Sequence, residues 1–549
     1  MSSDPLGLFD ALTAGDGRCS LHCWGDGGFD AAPWGEVVRD AEAMTAGLRR
    51  AGVRPGERVA SVLTNGPQAV RGILGAWLAG GTLASLPVPA RGMDVEEYAR
   101  QLIGICEQLD PTVFLIEERM LGLIPESVRE RVSVRSWESL EASGTIDPSP
   151  PGDDEVAFIQ YSSGSTSSPK GCMLTPRAIA AQINLVMEMI ESRPGGEVVV
   201  SWLPLSHDMG MFGCLLTPWA NDFELYLSPP ERFMFSPRTW FGDMAELGGT
   251  MTAGTSTALY LGARAYSSAR LAGDLTRMSV CIIGAEHVEW DTLAYAVELL
   301  GPYGFKAQAL MPAYGLAEAT LAVSATPVAD VPRRLSVDAR ALVDGELREV
   351  ADDDPCATDL VSAGPPCRGV ELPEASTKKL GEIRVRSPAL ASGYFADPER
   401  TLKHFSDGEL LTGDLGFMHE GHLYPVGRLD DVICVGGRNV YTREIETALD
   451  ALDGVSRGSS TIVEQHGGAT GRLTLFLELA ATLDDYRPLA RRAASVAMAK
   501  AAIALDKCVF LQKGSLPKTP TGKTQRHRCR QMLVTDRFKP LATIELGPG

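Results

Sequence analysis

The sequence lacks the features of a membrane-spanning or secreted protein. It has no uninterrupted apolar run of about 18 residues, the length that a transmembrane helix requires. The nearest candidate, residues 73–88, is interrupted by Gly80 and Gly81. The N-terminus carries Asp4 and Asp10 and does not show the basic, apolar and small-residue order of a secretory signal. We therefore predict a cytoplasmic protein without an integral membrane segment.

The 11 cysteines lack the paired spacings of a disulfide or zinc framework. Several of them, such as Cys281, lie in apolar runs where a reduced thiol packs as a small hydrophobe. Cys19, His22 and Cys23 are close together but have no apparent fourth ligand, so we interpret them as a surface loop and not as a metal site. No internal repeat is present.

The chain also lacks a net positive charge, and its balance of −19 disfavours nucleic acid as a partner. The charge is uneven, because residues 486–549 hold thirteen Lys and Arg against three acidic residues. This basic segment indicates a separate small domain that meets an anion or an acidic partner. The alternative is a solvated basic face without a partner.

What the sequence does contain is an α/β pattern, and 549 residues are enough for roughly two to four domains or subdomains. Helical periodicity at 37–51 and 68–79 alternates with apolar strands at 58–63 and 83–88. Beyond about residue 325 the pattern changes to short β segments. Further predicted elements are strands at 156–160, 198–203, 249–253 and 280–284, a hairpin at Gly436 and Gly437, a helix at 442–452 and a mixed α+β segment to the end.

Residues 161–171 (YSSGSTSSPKG) form the most informative stretch, with six Ser and Thr side chains, two glycines and Lys170. Converging backbone N–H groups, hydroxyl donors and a lysine suit a phosphate. The stretch is not a Walker A loop, because Pro169 precedes the lysine and Gly171 follows it. A flexible linker is the alternative, which the apolar strand before the loop disfavours.

Four polar clusters lie at the edges of apolar segments, where a site could use them. Residues 207–210 (HDMG) follow one strand and 314–318 (YGLAE) follow another, while 410–414 (LLTGD) end a β segment and 427–431 (GRLDD) follow the next. Singly, each cluster has an ordinary structural explanation as a cap, a turn or a surface ion pair.

Together with the phosphate loop, the clusters resemble the adenylate-forming superfamily of acyl-CoA synthetases, luciferases and adenylation domains. The likeness is closest to the fatty acyl-AMP ligases. It implies two stacked α/β subdomains with a small β-barrel-like subdomain at 1–429, and a mobile α+β domain at 430–549. The matching motifs are 202–205 (WLPL) with 207–210, 312–321 (PAYGLAEATL), 436–441 (GGRNVY) and 516–523 (LPKTPTGK).

The resemblance implies that a carboxylate attacks the α-phosphate of ATP to give an acyl-adenylate and pyrophosphate. Lys523 would bridge the two anions, Glu318 would hold Mg²⁺, and Glu318 or Thr320 would reach the α-phosphate. Asp414 and Arg428 would bind the ribose, and Thr166 and His207 join the catalytic set. The loop would hold the β- and γ-phosphates through Ser163, Gly164, Ser165, Thr166 and Lys170. Further nucleotide contacts are implied at Gly284, Ala285, Glu286, Ala313, Tyr314, Gly315 and Leu316, and acid contacts at His207, Met211, Gly254, Thr255, Ser256 and Leu259.

The second step that the resemblance implies is transfer to a phosphopantetheine thiol after the C-terminal domain rotates about Asp430. An inserted segment at about 331–365 is similar to the one that braces fatty acyl-AMP ligases against this rotation. It favours an acyl carrier protein as the acceptor, with CoA as the alternative. A member that binds ligand without adenylating it is a second alternative.

Three departures from the family pattern have consequences. Ser167 stands where glycine is usual, which restricts the loop backbone. Ser206 replaces a tyrosine. Residues 252–259 (TAGTSTAL) lack large side chains, which predicts extra volume and an acid bulkier than a plain alkyl chain.

Overall fold

The computed structural model places most of the chain. It describes residues 7–14, 17–89, 95–140, 146–161, 170–270, 272–343, 345–354, 356–373, 379–429, 432–435, 438–465, 472–501, 503–518, 524–535 and 537–546.

Sixteen α-helices are present in these residues, and a π-helix covers Met209–Leu216. The α-helices are α1 (Leu8–Thr13), α2 (Trp34–Arg50), α3 (Pro67–Leu78), α4 (Val95–Leu109), α5 (Glu126–Arg129), α6 (Pro176–Met189), α7 (Thr217–Ala220), α8 (Pro230–Phe235), α9 (Thr239–Glu246), α10 (Ser256–Ala269), α11 (Trp290–Leu300), α12 (Ala339–Val343), α13 (Pro398–His404), α14 (Thr442–Asp450), α15 (Arg487–Ala501) and α16 (Arg526–Val534).

The strands are short in the first half of the chain and longer in the second. Those of the first half are β1 (Ser20–Gly25), β2 (Gly28–Pro33), β3 (Arg58–Ser61), β4 (Thr82–Ser85), β5 (Val113–Ile116), β6 (Val134–Ser136), β7 (Phe158–Tyr161), β8 (Gly171–Leu174), β9 (Val198–Ser201), β10 (Glu224–Leu227), β11 (Met251–Gly254) and β12 (Val280–Ile283). Those of the second half are β13 (Leu310–Gly315), β14 (Ala322–Ala325), β15 (Arg334–Asp338), β16 (Ala357–Val361), β17 (Gly381–Val385), β18 (Phe405–Ser406), β19 (Glu409–His419), β20 (His422–Arg428), β21 (Val432–Val435), β22 (Arg438–Tyr441), β23 (Val455–Gln465), β24 (Arg472–Leu479), β25 (Lys507–Gln512) and β26 (Ala542–Glu545).

Two mixed sheets with flanking helices form the first two α/β units. One has the order β6-β5-β3-β4-β7-β8, with β8 antiparallel at its edge. The other has the order β14-β13-β12-β11-β9-β10-β1-β2, with antiparallel edge strands at both ends. One apolar cluster contains Val59 and Leu83 of the first sheet and Leu225 and Val280 of the second. The two sheets therefore share a core, as expected for stacked subdomains.

The second half of the chain adds a β unit and a small α+β unit. In the β unit, β19 pairs with β17, β18 and β20, while β15 and β16 form a hairpin beside it. The last unit contains the sheet β23-β24-β25-β26, packed on α14 and α15 through its own apolar cluster. These four units confirm the predicted fold class. The boundary at 429/430 stays a prediction, and Asp430 lies outside the described residues.

The helices and strands predicted from periodicity are confirmed to within a few residues, including β3, α3, β7, β9 and α14. The interpretation of residues 19–23 as a surface loop is wrong. Residues 20–23 belong to β1, which lies between β10 and β2, and Cys23 is buried. His22 pairs with Glu224 of β10, which explains its polarity without a metal. No group of three potential metal ligands occurs among the described residues.

Among the helices that the structure describes, none is both long and apolar enough to cross a membrane.

Candidate active site

A cavity of about 410 Å³ lies where the second α/β unit, the β unit and the C-terminal unit meet. Its wall includes the ends of β12 and β13, the middle of β19 and the end of β20. It also includes Thr524, Gln525 and Arg526 at the start of α16. The carboxyl ends of parallel strands are a common place for a ligand in an α/β protein.

One polar wall of the cavity is built by Tyr314, Asp414 and Arg428. Arg428 Nε donates to Asp414 Oδ1 at 2.8 Å, and the Tyr314 hydroxyl donates to Asp414 Oδ2 at 2.7 Å. Asp414 and Arg428 are direct partners across the antiparallel pair β19–β20. Burial, followed by the neighbouring Asp414 charge, raises the pKa of Tyr314 far above its usual range, so the hydroxyl stays a donor. Each carboxylate oxygen keeps a lone pair for a hydroxyl of a ligand.

The structure corrects the placement of these residues along their strands. Asp414 does not end a β segment but lies in the middle of β19, just before a register shift between Leu415 and Gly416. Arg428 and Tyr314 lie within β20 and β13, not after them. A strand that continues through the site holds these side chains more rigidly than a loop would.

A second polar wall contains Glu318 and Lys170, which come together around Tyr394. The Tyr394 hydroxyl donates to Glu318 Oε1 at 2.8 Å, and Lys170 Nζ lies 5.6 Å from the centre of the Tyr394 ring. Burial, then the Glu318 charge, raises the pKa of Tyr394, so its hydroxyl remains protonated. Sequence reasoning missed Tyr394 as the partner of Glu318, because it follows no recognised motif.

Thr320 does not reach the cavity. Its side chain is fully buried, its backbone has a φ of +62°, and its hydroxyl donates to the Ala389 carbonyl at 2.6 Å. Of the two residues proposed to reach the α-phosphate, only Glu318 lines the cavity. The Thr320 hydroxyl fixes the loop beside Glu318, and this structural role explains why a threonine stands at this position.

Gln182 of α6 forms hydrogen bonds to the loop that contains Glu318 and Thr320. With its amide oriented to satisfy both partners, it donates to the Ala319 carbonyl at 3.0 Å and accepts from Ala322 N at 3.2 Å. Gln182 is completely buried. Sequence reasoning missed it because a glutamine in an amphipathic helix carries no motif.

His207 and Asp208 precede the π-helix and line the cavity. His207 Nδ1 lies 2.5 Å from Asp208 Oδ1, and Asp208 also accepts from Met209 N at 2.7 Å. Burial lowers the pKa of His207, but the charge of Asp208 and its hydrogen bond to His207 together outweigh burial and raise the pKa above its usual range. A Cβ at Gly210 would lie 2.2 Å from the Pro204 carbonyl oxygen, so only glycine lets the π-helix begin this close to the preceding strand.

The predicted nucleotide contacts around β12 and β13 lie together at the cavity, and their role stays a prediction. Gly284, Ala285 and Glu286 line the cavity, as do residues 313–316 (AYGL). Ala285 has a φ of +62°, which turns the chain sharply after β12. Glu286 accepts from Thr257 N, which ties this turn to the start of α10.

Most of the predicted acid contacts lie elsewhere. Met211 and Leu259 belong to apolar cores, and Thr255 and Ser256 use their hydroxyls to accept from Ala258 N and Glu289 N. None of them, and not Gly254, is among the residues that line the described cavity.

The extra volume predicted at Gly254 is occupied by the side chain of Trp240. A Cβ there would lie 2.3 Å from Trp240 Cη2, and the Trp240 indole donates to Thr252 Oγ1 at 2.7 Å. The small residue of β11 accommodates a buried tryptophan of α9. Gly254 therefore gives no support to the inference of a bulky acid, which stays a prediction.

The apolar end of the cavity is formed by other elements. It is lined by residues of α6, β9, β11 and the region around the π-helix, which also belong to or pack against the main apolar core. Few of these positions carry a motif, so sequence reasoning could recognise them only as core. The lining residues are Val186, Met189, Ile190, Val199, Phe223, Met251 and Ile282.

Several predicted residues lie outside the described part of the chain: Ser163, Gly164, Ser165, Thr166, Ser167, Asp430 and Lys523. Their described neighbours do line the cavity. Lys170 ends the phosphate loop and Thr524 follows Lys523 directly. A β-bridge joins Lys518 to Thr524, and Lys518 Nζ donates to the Gly458 carbonyl at 2.8 Å.

Fold and cavity together define an α/β protein with a cavity that is lined by charged residues at one end and by apolar residues at the other. The model of the AMP-binding enzyme family matches residues 26–395, and the chain belongs to this family.

Two curated relatives and one solved structure extend the match. The long-chain-fatty-acid–AMP ligase FadD26 of Mycobacterium tuberculosis is 27% identical, over 98% of this chain and 94% of its own. The medium-chain-fatty-acid–[acyl-carrier-protein] ligase JamA of Moorena producens is 31% identical, over 69% of this chain and 67% of its own. A structure from a study of the fatty acyl-adenylate ligases of E. coli and L. pneumophila is 25% identical, covers 97% of this chain and 99% of its own, and superposes with a TM-score of 0.89.

Proposed function

We propose that the protein converts a fatty acid and ATP into an acyl-adenylate and pyrophosphate, and then passes the acyl group to the phosphopantetheine thiol of an acyl carrier protein. One observation carries the proposal: a single cavity joins the Asp414–Arg428 and Glu318–Lys170 walls to an apolar end. An acyl-adenylate has this same division into a nucleotide and a hydrocarbon chain. The named relatives, a fatty acid–AMP ligase and a carrier-protein ligase, support the same chemistry.

The side chains fit the parts of ATP by their donor and acceptor chemistry. Asp414 would accept from ribose hydroxyls, while the Arg428 guanidinium and Tyr314 hold the carboxylate in place. Lys170 would neutralise phosphate charge at the end of the loop. Glu318 offers a carboxylate oxygen of the kind that Mg²⁺ takes together with phosphate, and a bound Mg²⁺ would neutralise charge on the phosphates.

In the first step an acid oxygen would form a bond to the α-phosphorus as the bond from that phosphorus to the pyrophosphate oxygen breaks. Two anions approach each other, so cationic side chains must reduce their repulsion. We assign this role to Lys523, the residue before the cavity-lining Thr524. His207 is placed beside the acid, since it borders the cavity and its partner Asp208 favours its charged form.

The test of the function is a product analysis. The protein is incubated with ATP, Mg²⁺ and a panel of fatty and ring-containing acids, with either CoA or a holo carrier protein, and products are identified by mass. We expect acyl-AMP and pyrophosphate, with thioester formed on the carrier protein. Absence of any acyl-AMP across the panel would overturn the proposal, and thioester on CoA alone would favour the acyl-CoA synthetase alternative.

The apolar end predicts a preference for unsubstituted alkyl acids. Ile190→Trp fills part of this end, so we expect the kcat/KM for long alkyl acids to fall by about tenfold or more, because overpacking excludes several methylenes. The KM for ATP should not change. Ile179→Val, in the same helix but in the core away from the cavity lining, is the matched control. Equal losses for short and long acids would contradict this location of the acyl chain.

The inserted segment touches the C-terminal unit in this structure. The Arg340 guanidinium donates to the Ala499 carbonyl at 3.3 Å, and Lys500 Nζ donates to the Ala357 carbonyl at 2.8 Å. These contacts support the proposal that residues 331–365 brace the C-terminal unit. Deleting the whole segment would also remove buried Val337 and Leu360, so point variants are the better probe.

Arg340→Ala removes one brace without touching the core. If bracing limits the use of CoA, we expect acyl-CoA formation from a preformed acyl-adenylate to rise by about threefold to tenfold, because a contact of this kind contributes about 1 kcal/mol. The matched control is Arg348→Ala, an exposed arginine of the same segment that pairs with Asp338. An unchanged rate for Arg340→Ala, or an equal rise for Arg348→Ala, would contradict the bracing role.

A further inference from the structure

A second contact holds the C-terminal unit, and it involves the first α/β unit and not the inserted segment. Arg528 of α16 donates from Nη2 to Glu97 Oε2 of α4 at 2.7 Å, although the two residues are 431 positions apart. Arg528 is buried, and its Nη1 lies 3.3 Å from Gln525 Oε1. This pair, the Glu97–Arg528 pair, joins the first α/β unit to the C-terminal unit.

Arg528 follows the cavity-lining Gln525 by three residues, close to one helical turn. The Gln525 carbonyl accepts from the backbone N–H groups of Arg528 and Cys529 at 3.1 Å each. Gln525 N in turn donates to the Pro517 carbonyl at 2.9 Å, which ties the start of α16 to the residue before Lys518. The position of Gln525 at the cavity wall therefore follows the orientation of α16.

The two partners differ in how readily they can separate. The Arg528 side chain is 7% exposed, whereas the Glu97 side chain is 31% exposed. Glu97 can regain water when the pair opens, so opening costs less than for a pair buried on both sides. Such asymmetry suits a contact that forms in one orientation of the C-terminal unit and breaks in another.

We propose that Glu97 and Arg528 are positioning residues for the first half-reaction: their ion pair holds Thr524 and Gln525, at the start of α16, against the cavity while the adenylate forms. The pair opens when the C-terminal unit turns to admit the thiol. This inference rests on the proposed function. It predicts that the closed ion pair promotes adenylate formation and that the open pair permits thioester formation.

The experiment measures the two half-reactions separately in Glu97→Gln, Arg528→Gln and the charge-swapped double variant Glu97→Arg with Arg528→Glu. We expect each single variant to lower the kcat of pyrophosphate release about tenfold, as an unpaired charge disfavours the docked orientation. Thioester formation from supplied acyl-AMP should stay unchanged or become faster. The swapped variant should recover at least a third of the wild-type pyrophosphate release, since the Gln525 amide can turn its NH₂ toward the new carboxylate.

The controls are Glu96→Gln, an exposed neighbour on α4, and Arg537→Gln, an exposed arginine beyond α16. Both should leave the two half-reactions unchanged. Hydrogen exchange of the α16 amides should be faster in the single variants and slower again in the swapped variant. If Arg528→Gln fails to fold, as judged by its Tm, the Glu97→Gln arm alone decides.

Equal loss of both half-reactions, or no loss in the first, would overturn the positioning role. These outcomes are distinct from a failure of the proposed function, in which the unaltered protein would release no pyrophosphate with any acid.

Discussion

Lys523→Ala is expected to lower acid-dependent pyrophosphate release by about 100-fold or more, because removal of one preorganised charge from a transition state has effects of about that size. The KM for ATP should change much less, since Lys170, Asp414 and Arg428 line the cavity independently of it. The measurement is ATP–pyrophosphate exchange with a saturating fatty acid. Thioester formation from supplied acyl-AMP should persist, which separates a loss of chemistry from a loss of fold.

Two other lysines make the result specific. Lys513 is an exposed lysine that directly follows β25, so Lys513→Ala should leave exchange unchanged. Lys518→Ala removes the donor to the Gly458 carbonyl and Ser459 Oγ, so it should loosen the β-bridge between Lys518 and Thr524 and lower exchange by a smaller factor than Lys523→Ala. Exchange that survives Lys523→Ala at the wild-type rate would remove this residue from the mechanism.

The nucleotide side of the site could be read from sequence because its residues stand in short contiguous motifs. Tyr314 lies at the end of β13, and Glu318 follows it by only four residues. Asp414 and Arg428 are brought together by the direct pairing of β19 with β20. Local backbone structure alone brings the members of each pair together, independently of how the rest of the chain packs. Tyr394 and Gln182 support Glu318 and its loop without lining the cavity, and only tertiary packing brings them there; their neighbours in sequence gave no indication of it.

The apolar side could not be read in this way. A small residue in β11 is compatible with an open pocket or with a large side chain from another element, and only the tertiary structure shows that Trp240 packs on Gly254. In the same way Thr320 matches a motif, but its positive φ turns the hydroxyl to the Ala389 carbonyl. Side-chain direction and packing across elements, not residue type, decided these positions.

Contacts between distant segments were the least accessible to sequence reasoning. The basic character of residues 486–549 predicted an acidic or anionic partner, and the structure shows that part of this charge is used within the chain. Arg526 pairs with buried Glu446, and Arg528 pairs with Glu97 of the first α/β unit. The partner of a basic segment can thus be its own protein, in one orientation of its domains.

Glu318→Gln is the second change for which we expect a large effect, a loss of about 100-fold in pyrophosphate release at millimolar Mg²⁺, because the amide keeps the shape of the side chain but offers the metal no negative charge. The dependence of the rate on Mg²⁺ should shift to higher concentration. The Tyr394 hydroxyl, which donates to Glu318 Oε1 at 2.8 Å, can donate equally to the amide oxygen, so the fold of this wall is retained.

Tyr394→Phe is the matched control for Glu318→Gln. It removes the hydrogen bond to Glu318 while leaving the carboxylate and the stacking surface near Lys170. We expect a loss of about tenfold, because the carboxylate loses one hydrogen-bond donor but keeps its charge, with the Mg²⁺ dependence of the wild type. If Glu318→Gln showed that same unshifted Mg²⁺ dependence, the carboxylate would orient Tyr394 and not hold the metal, and the charge on the phosphates would have to be met by Lys170 and the loop that precedes it.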